Sequence, residues 1–378
     1  AAIAAVLRPR CSVYVGSMAL PGLPGLALSL SGLDESHQVA LLELRTSAPD
    51  EMPDLLAVVR PLVAVLTHTL TGEGTSSQEI ARSLAEARQV IEAVPADGYV
   101  VLNYDDPAQR DLLATCQQAT VTYGQATGEF ATGATVLAFN VKPEVVGTRF
   151  DLTVNRERFK GNHTALVGIP GLYASLAGAA AGLLFDVPIP EALSAIQACE
   201  PLEGRLCPVP SQDGIILMDD TYRSTAASVL VTLQWLQQID RRGRRILMVL
   251  GELEDSANSA GQLQTIGRRA AACVDNLVVC GTNASDVIKE ARNVGFNPTS
   301  CTMTFRPRDV VAAVKEAARR GDVVVVVGNR AAGMRQVVRL LSAEQSPASP
   351  PTRANPGKFF NTWIELDLDA FCANIADV

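Results

Sequence analysis

Three apolar segments of this chain are each followed by acidic or amide side chains. Glu43 follows VALL, Asn103 closes YVVLN, and Asp219 and Asp220 follow GIILM. Ligands of open parallel sheets bind beyond the carboxyl ends of the strands, so these residues stand where a site is expected. Carboxylates at such places commonly hold Mg²⁺ for a phosphorylated ligand. The pattern predicts a site of this kind, provided that the segments are neighbouring strands.

Turns and helix caps are the alternative explanation for the same residues. Asp105 and Asp106 come shortly after Asn103, and Pro107 follows them directly. An acidic cap with a proline in the first turn is a common start of a helix. Each of these side chains therefore fits either a ligand site or a structural turn, and the sequence leaves both interpretations open.

The elements that must position these residues alternate between apolar runs of strand length and stretches of helical periodicity. This alternation predicts an α/β fold with two domains, each built on a mainly parallel sheet. The predicted strands are 39–44, 62–67, 99–103, 119–124, 214–219, 245–251, 276–281 and 322–328. The predicted helices include 76–94, 225–240, 260–273, 284–294 and 308–320. Short alternating segments between 125 and 160 predict a small antiparallel part.

One uncharged segment, residues 165–185, has about the length that spans a bilayer. Pro170 and Gly171 interrupt it, and an Ala/Gly-rich stretch without basic flanks follows. We therefore expect a buried helix packed closely against a sheet, and no membrane partner. The first residues, AAIAAVLRPR, lack the cleavage pattern of a signal peptide, so we expect a cytoplasmic protein.

The composition of the chain excludes several function classes. The 378 residues are 48% hydrophobic and 19% charged, which indicates folded domains rather than disorder. The net charge of −8, without a basic face, argues against nucleic acid as a partner. The eight cysteines are scattered singly, so neither a zinc site nor a disulfide framework is indicated.

The order of several motifs resembles the Mur ligase family. These motifs are VALLELRTSAPDE, VLNYDDP, PLEGRL, IILMDDTY, VLGELED and VVVGNRAAGM. Among Mur ligases, the closest resemblance is to the members that join D-alanyl-D-alanine to a UDP-muramoyl tripeptide. The resemblance implies a central ATPase-like domain in residues 1–203, N-terminally incomplete, and a Rossmann-like C-terminal domain in residues 204–341. It also implies that ATP with Mg²⁺ activates a peptide carboxylate as an acyl phosphate, which an amine then attacks.

The resemblance assigns six residues by their positions in the motifs. They are Glu43 as the metal-binding glutamate and, as remnants of the nucleotide site, Asn103, Arg205, Asp219, Asp220 and Tyr222. No residue of the chain is assigned a catalytic role. The family motif DDxYNANP is only half retained, because its last four residues are here Arg223, Ser224, Thr225 and Ala226.

Positive charge is missing where the family places the phosphates of ATP. The family's GKT/S-type phosphate loop does not occur in the chain. The helix 76–94 offers Leu84, Ala85 or Arg88 where the family has a carbamylated lysine. Without the loop's backbone N–H groups and its lysine, nothing matched to the family cradles the β- and γ-phosphates.

Two further positions depart from the family pattern. Arg45 stands where a small residue is expected, and Val327 replaces the lysine of a later KGSR-type motif. Losing one electrostatic contributor to phosphoryl transfer typically costs ~10²–10³ in rate. We therefore expect ATP with Mg²⁺ to bind weakly or not at all, with a Kd above roughly 1 mM. The chain is expected to be inactive as a ligase; the alternative is an active ligase whose phosphate loop lies upstream.

The C-terminal segment carries a second resemblance. Residues 342–358 are rich in Pro, Ser and Ala and predict a linker. TWIELDLDAFCANI, within 359–378, resembles the opening of an alanine racemase, an enzyme that uses pyridoxal phosphate. We therefore expect a degenerate ligase module fused to a racemase domain that is incomplete here, with the tail disordered or added to a sheet edge. The alternative is a strand and helix unrelated to a racemase.

The two resemblances together imply the partners of the chain. They are a UDP-muramyl peptide, D-alanyl-D-alanine and the fused racemase domain, and a homodimer is left open. In the leading interpretation the module acts as a scaffold, a dimerising element or a regulator of the racemase. A third hypothesis is a module that binds a muramyl peptide or a nucleotide without turnover.

Overall fold

The computed structural model describes residues 1–17, 20–67, 77–126, 133–211, 213–222, 224–253, 260–282, 284–329 and 333–342. These residues fall into two compact units. The large unit consists of residues 1–10 and 62–342, and the small unit of residues 11–61. Apart from Ser342, the predicted linker 342–358 and the predicted racemase opening 359–378 lie outside the described residues.

The helices and strands follow one another along the whole described chain. The helices are α1 (Ala2–Leu7), α2 (Gly22–Leu30), α3 (Met52–Val58), α4 (Ser77–Ala93), α5 (Pro107–Leu113), α6 (Gly168–Leu184), α7 (Ile189–Gln197), α8 (Ala226–Gln238), α9 (Ala260–Cys273), α10 (Ala284–Asn293), α11 (Pro307–Ala317) and α12 (Met334–Leu341). The strands are β1 (Val13–Val15), β2 (Val39–Leu41), β3 (Val63–Val65), β4 (Tyr99–Asn103), β5 (Ala119–Gln125), β6 (Val136–Pro143), β7 (Thr148–Val154), β8 (Glu157–Thr164), β9 (Cys207–Val209), β10 (Ile216–Asp220), β11 (Ile246–Leu250), β12 (Asn276–Cys280), β13 (Cys301–Thr304) and β14 (Val323–Val327).

The small unit is built on two parallel strands, β1 and β2, joined through α2. The predicted strand 39–44 is too long, because β2 ends at Leu41. The following residues turn away from the ladder, and the carbonyl of Arg45 accepts a hydrogen bond from Gly22 N–H at 2.7 Å. This bond ties the segment after β2 to the first residue of α2.

The first sheet of the large unit has the strand order β3-β4-β5-β6-β7-β8. Strands β3 to β6 are parallel, whereas β6, β7 and β8 are antiparallel. The small antiparallel part predicted between residues 125 and 160 is therefore confirmed. Val100, Val101 and Leu102 in β4 are buried on both faces, as expected for a parallel strand covered on both sides.

The uncharged segment 165–185 forms α6, which is buried in the large unit. Glycines let α1 approach it closely. A Cβ on Gly178 would lie 3.2 Å from the backbone of Ala2, and one on Gly182 would lie 2.8 Å from Val6 Cγ1. The predicted buried helix is thus confirmed, and the part of the chain described here contains no helix long and apolar enough to cross a membrane.

The second sheet of the large unit has the order β13-β12-β11-β14-β10-β9. Only the edge strand β9 runs antiparallel to its neighbour. All five valines of β14 are buried, and they alternate between two cores. Val323, Val325 and Val327 belong to one core, while Val324 and Val326 belong to the other. Helices cover both faces of this sheet, as the apolar strands predict.

The strands of residues 1–203 lie in two sheets, β1-β2 and β3-β8. The sequence predicts that the central sheet of these residues lacks a strand, and this stays a prediction. The domain boundary predicted at residue 203 does not coincide with a boundary between the two compact units, and it stays a prediction.

Candidate functional site

Four of the six predicted site residues meet at the carboxyl end of β10, in the second sheet of the large unit. Asp219 is buried there, and its Oδ1 accepts hydrogen bonds from Thr221 N–H at 3.1 Å and from Thr221 Oγ1 at 2.6 Å. Burial raises the pKa of Asp219 above its ordinary value, although the bonds from Thr221 oppose this change. The strand thus ends in a carboxylate held in one orientation by its own turn.

The carboxylate of Asp220 accepts hydrogen bonds from two other parts of the chain. Thr232 Oγ1, on α8, donates to Asp220 Oδ2 at 2.8 Å, and the backbone N–H of Leu206 donates to the same carboxylate. Desolvation is the largest influence on this group and raises the pKa of Asp220 to about 6, whereas both hydrogen bonds and the nearby Arg205 act in the opposite direction. Asp220 therefore titrates close to neutral pH.

The PLEGRL loop contacts the DDTY motif directly. The guanidinium carbon of Arg205 lies 4.8 Å from the ring centroid of Tyr222, a cation–π arrangement. Tyr222 N–H donates to the carbonyl of Gly204 at 2.9 Å. Gly204 has φ +76°, and a Cβ there would lie 2.8 Å from Tyr222 N, so this close approach requires glycine. The two motifs, separate in sequence, form one surface.

Two of the residues that replace NANP have structural roles. The buried Ser224 Oγ accepts from Gly328 N–H at 3.0 Å and donates towards the carbonyls of Asp220, at 2.9 Å, and Gly328, at 3.1 Å. Thr225 is the N-cap of α8, and it exchanges side chain to backbone hydrogen bonds with Ser228. These substitutions hold the turn after β10 and begin the next helix.

The loops after β11 and β14 complete this edge of the sheet. Gly251 N–H donates to Val327 O at 2.8 Å, and Asn329 N–H donates to Glu252 O at 2.7 Å. Arg330, the last residue of the KGSR-like motif, lies outside the described residues. The carboxyl ends of β10, β11 and β14 are therefore connected by backbone and Ser224 hydrogen bonds into one continuous surface.

Asn103 lies in the other sheet of the large unit, at the carboxyl end of β4. Its Oδ1 accepts from Asp105 N–H at 3.0 Å, and its Nδ2 donates to Thr67 O at 3.4 Å. Asp106 caps α5 through Ala108 N–H at 3.0 Å. For Asp106 the cap interpretation is confirmed, whereas the nucleotide role of Asn103 stays a prediction.

The sequence analysis did not identify Tyr173, which also reaches this edge of the first sheet. Its hydroxyl, on α6, donates to Asp105 Oδ2 at 2.9 Å, and Gln125 N–H donates to the same oxygen at 2.6 Å. Burial, with Asp105 nearby, holds the pKa of Tyr173 well above its ordinary value. The available signal was a lone tyrosine in the otherwise small and apolar segment 165–185.

Glu43, the predicted metal ligand, belongs to the small unit. It is exposed and lies two residues beyond the end of β2. Among the described residues, no group of three or more His, Cys, Asp and Glu side chains is placed to hold a metal ion. Helix α4 contains no lysine. The metal role of Glu43 stays a prediction.

Two models of known protein families match the two halves of this chain. The Mur ligase middle domain matches residues 3–182, and the Mur ligase glutamate ligase domain matches residues 204–330. The chain belongs to the Mur ligase family. The resemblance inferred from the motifs is thereby confirmed, and so is the fold class of two parallel-sheet α/β domains.

Three curated relatives carry the name UDP-N-acetylmuramoyl-tripeptide–D-alanyl-D-alanine ligase. The Bacillus subtilis (strain 168) protein is 23% identical, with 86% of this chain and 68% of the relative covered. The Escherichia coli (strain K12) protein is 24% identical, covering 84% and 68%. The Mycobacterium tuberculosis (strain CDC 1551 / Oshkosh) protein is 27% identical, covering 82% and 63%. The chain thus spans between 63% and 68% of the length of these Mur ligases.

Solved structures agree with this Mur ligase fold. MurF from Acinetobacter baumannii superposes with a TM-score of 0.76 at 17% identity, covering 90% of this chain and 73% of that one. MurF from Thermotoga maritima in complex with ADP gives a TM-score of 0.71 at 18% identity, covering 90% and 75%. At these identities the likeness shows the fold alone.

Proposed function

We propose that this Mur ligase chain is part of a ligase that joins D-alanyl-D-alanine to a UDP-N-acetylmuramoyl tripeptide in the synthesis of peptidoglycan precursors. Its curated relatives carry this activity in their names. The observation that carries the proposal is the contact between Arg205 and Tyr222 beside two ordered carboxylates. It supports a nucleotide site at the carboxyl ends of β10, β11 and β14.

Each residue of this surface has a role that follows from its chemistry. The planar guanidinium of Arg205 and the ring of Tyr222 offer flat faces on which a purine base stacks. Asp219 uses Oδ1 for its turn, so its second oxygen is available to accept from a hydroxyl or amino group of the ligand. Asp220 is occupied by Thr232 and Leu206, and it acts by positioning the loop that carries Arg205.

The family implies Mg²⁺ together with ATP, and the described residues around Glu43 do not fit a magnesium site by themselves. Glu43 is exposed and belongs to no acidic cluster within the described ranges. The nearby Arg45 carries a buried Nη2 without a hydrogen-bond partner in those ranges. Because a metal ion at this place would meet a permanent cation, the proposed function rests on the nucleotide-side residues alone.

A second candidate is a non-catalytic Mur ligase module fused to an alanine racemase. The absence of lysine from α4 and the burial of Val327, where the family has a lysine, favour it. The racemase resemblance falls outside the described residues, so the fused domain, its pyridoxal phosphate and a homodimer remain part of this proposal only.

A ligation assay separates the two candidates. The protein is expressed from its natural gene, including any sequence that flanks residues 1–378, and incubated with ATP, UDP-muramoyl tripeptide and D-alanyl-D-alanine. The first candidate predicts that ADP is released only when both UDP-muramoyl tripeptide and D-alanyl-D-alanine are present. Arg205→Ala should lower that rate, while Arg308→Ala, an exposed arginine of the same unit, should not.

The opposite result supports the second candidate. Alanine racemisation with pyridoxal phosphate, without any dipeptide-dependent ADP release, would contradict the ligase proposal. If Arg205→Ala and Arg308→Ala release ADP equally fast, the ligase would stand but its nucleotide would bind elsewhere.

A further inference from the structure

The segment after β2 carries an unsatisfied positive charge. Arg45 Nη2 is buried, and no atom of the described residues accepts a hydrogen bond from it. Within those residues it is the only buried side-chain nitrogen or oxygen without a hydrogen-bond partner. The other buried polar side-chain atoms of the described residues have partners; Asp219 Oδ1 and both amide atoms of Asn103 are examples.

Burying a charged donor without an acceptor is costly. Water is lost from the guanidinium and no protein group replaces it, so such a group is expensive to retain in a folded chain. The arginine also stands where the family has a small residue, which would not carry this cost. An acceptor from outside the chain would remove the cost, and an oxyanion is the acceptor that guanidinium groups match best.

The carboxylate of Glu51, at the start of α2, is already hydrogen-bonded to other groups. Glu51 Oε2 accepts from Ser47 N–H at 2.6 Å, Ser47 Oγ at 2.8 Å and Ala48 N–H at 3.2 Å. Glu51 Oε1 accepts from Leu23 N–H at 3.2 Å. Hydrogen bonds from Ser47 are the largest influence on this carboxyl and lower its pKa. Glu51 therefore offsets the partial positive charge at the start of α2, and none of these four hydrogen bonds comes from Arg45.

The backbone of Arg45 lies beside the start of α2. Its carbonyl accepts from Gly22 N–H at 2.7 Å, which places its backbone beside the first residue of α2. A guanidinium at this place opposes the binding of a divalent cation and favours the binding of an anion.

We propose that Arg45 forms an oxyanion site that takes a phosphate group directly, where the family resemblance places Mg²⁺ on Glu43. The phosphate group of a free nucleotide such as ADP is one source of the ligand, and the site does not depend on the nucleotide surface proposed at the end of β10. Free phosphate is the other source. In both cases the guanidinium donates through its two Nη atoms, and no divalent cation is needed.

Thermal unfolding with and without ligand tests the site. The purified chain is titrated with inorganic phosphate, and separately with ADP, at constant ionic strength in EDTA and again in Mg²⁺. Four proteins are compared: wild type, Arg45→Met, Arg45→Lys and Arg60→Ala. Met keeps the stem of the side chain without its charge, Lys keeps the charge, and Arg60 is an exposed arginine of the same unit.

The expected pattern has two parts. Phosphate in EDTA raises the Tm of the wild type by at least about 1 °C, and Arg45→Met abolishes this rise. Without ligand, Arg45→Met has a Tm equal to or higher than that of the wild type, because it removes the unsatisfied donor. Arg45→Lys keeps part of the phosphate response, and Arg60→Ala keeps all of it.

Several outcomes would overturn the proposal. One is a phosphate response that Arg45→Met leaves intact, and another is a response that appears only with Mg²⁺. A third is a lower Tm of Arg45→Met without ligand, together with no phosphate response in the wild type, which identifies a purely structural arginine.

An ADP response that depends on Arg45 identifies the nucleotide as the source of the phosphate group, whereas a response to inorganic phosphate alone identifies free phosphate. Phosphate binding does not require ligase activity. A negative thermal-shift result would therefore contradict the oxyanion site without contradicting the proposed function, and the reverse holds for the ligation assay.

Discussion

Two edges of this protein carry residues matched to the same family site, and they are built in opposite ways. After β10, Asp219 accepts hydrogen bonds from its own turn and Asp220 accepts one from α8, and Arg205 lies against Tyr222. After β2, Glu43 is exposed and Arg45 Nη2 is buried without an acceptor in the described residues. The first edge is ordered by hydrogen bonds within the chain, and at the second edge the described residues offer no acceptor to a guanidinium nitrogen.

This contrast in hydrogen bonding predicts which substitutions each edge tolerates. At a preorganised edge, removing one partner leaves another buried group unsatisfied, so most changes should cost stability. At the edge after β2, removing the unsatisfied charge should cost nothing in the absence of a ligand. Substitutions at the two edges test this contrast.

Gly204→Ala should give the largest loss of stability. The position has φ +76°, and the added Cβ would lie 2.8 Å from Tyr222 N. We expect a loss of about 3 kcal/mol in the free energy of unfolding, measured by urea denaturation. The matched control is Gly243→Ala, which has φ +78° but no atom within 4 Å of its Cβ, and should lose only about 1 kcal/mol. Equal losses would show that the PLEGRL loop is not tightly packed on the DDTY motif.

Ser224→Ala should have the next largest effect. The substitution leaves Gly328 N–H buried without the hydroxyl that accepts from it at 3.0 Å. We expect a loss of about 2 kcal/mol, again in urea. Ser31→Ala is the control, since Ser31 is exposed and its hydroxyl only donates to the carbonyl of Leu28. If the two variants were equally stable, the bond across 104 residues would not hold the loops together.

Asp220 should make stability depend on pH. Its pKa in the folded state is raised to about 6 from an ordinary 3.8, so the folded protein holds this proton more tightly than the unfolded chain. The ionised Asp220 carboxylate therefore destabilises the folded state, with its full effect above about pH 6 and no effect below about pH 4. Its share of the free energy of unfolding should therefore rise as the pH falls from 7 to 4, by on the order of 1–2 kcal/mol.

Asp220→Asn measures this share. The wild type and the variant are unfolded in urea at several pH values, and the difference between them should vary between pH 4 and 7. Asp213→Asn, at an exposed position, provides the comparison. A difference that is constant over this range would contradict the raised pKa.

Glu43→Gln should have the smallest effect. The side chain is exposed and makes no hydrogen bond to the described residues, so the free energy of unfolding should change by less than about 0.5 kcal/mol. If the edge after β2 works through Arg45, Mg²⁺ should shift the Tm of wild type and Glu43→Gln equally. A Mg²⁺ response that only the wild type shows would restore Glu43 as a metal ligand and weaken the contrast between the two edges.

Local patterns in the sequence determined most of the architecture. The strand YVVLN is β4 without change, and the buried valines of β14 follow from an apolar run that needs helices on both faces. Alternation between residues 125 and 160 predicted the antiparallel strands correctly. These features depend on periodicity within a few residues, which is why the sequence alone contains them.

The weakly patterned elements were not predicted. β1 has three residues and α2 contains one proline and two glycines, so neither has a strong periodic signal. β13, with the sequence CTMT, becomes a strand because β12 offers it a hydrogen-bonding edge. For such short segments the neighbouring strand, rather than local propensity, determines the conformation.

For the candidate site, the sequence determined which residues could act, and only the tertiary structure decided how they are held. The motifs identified Arg205, Asp219, Asp220 and Tyr222 as a group. They could not indicate that Ser224 would join the loops of β10 and β14, or that Arg45 Nη2 would be buried without an acceptor among the described residues. Hydrogen-bond satisfaction depends on atoms brought together from distant parts of the chain, whereas residue type and spacing are properties of the sequence itself.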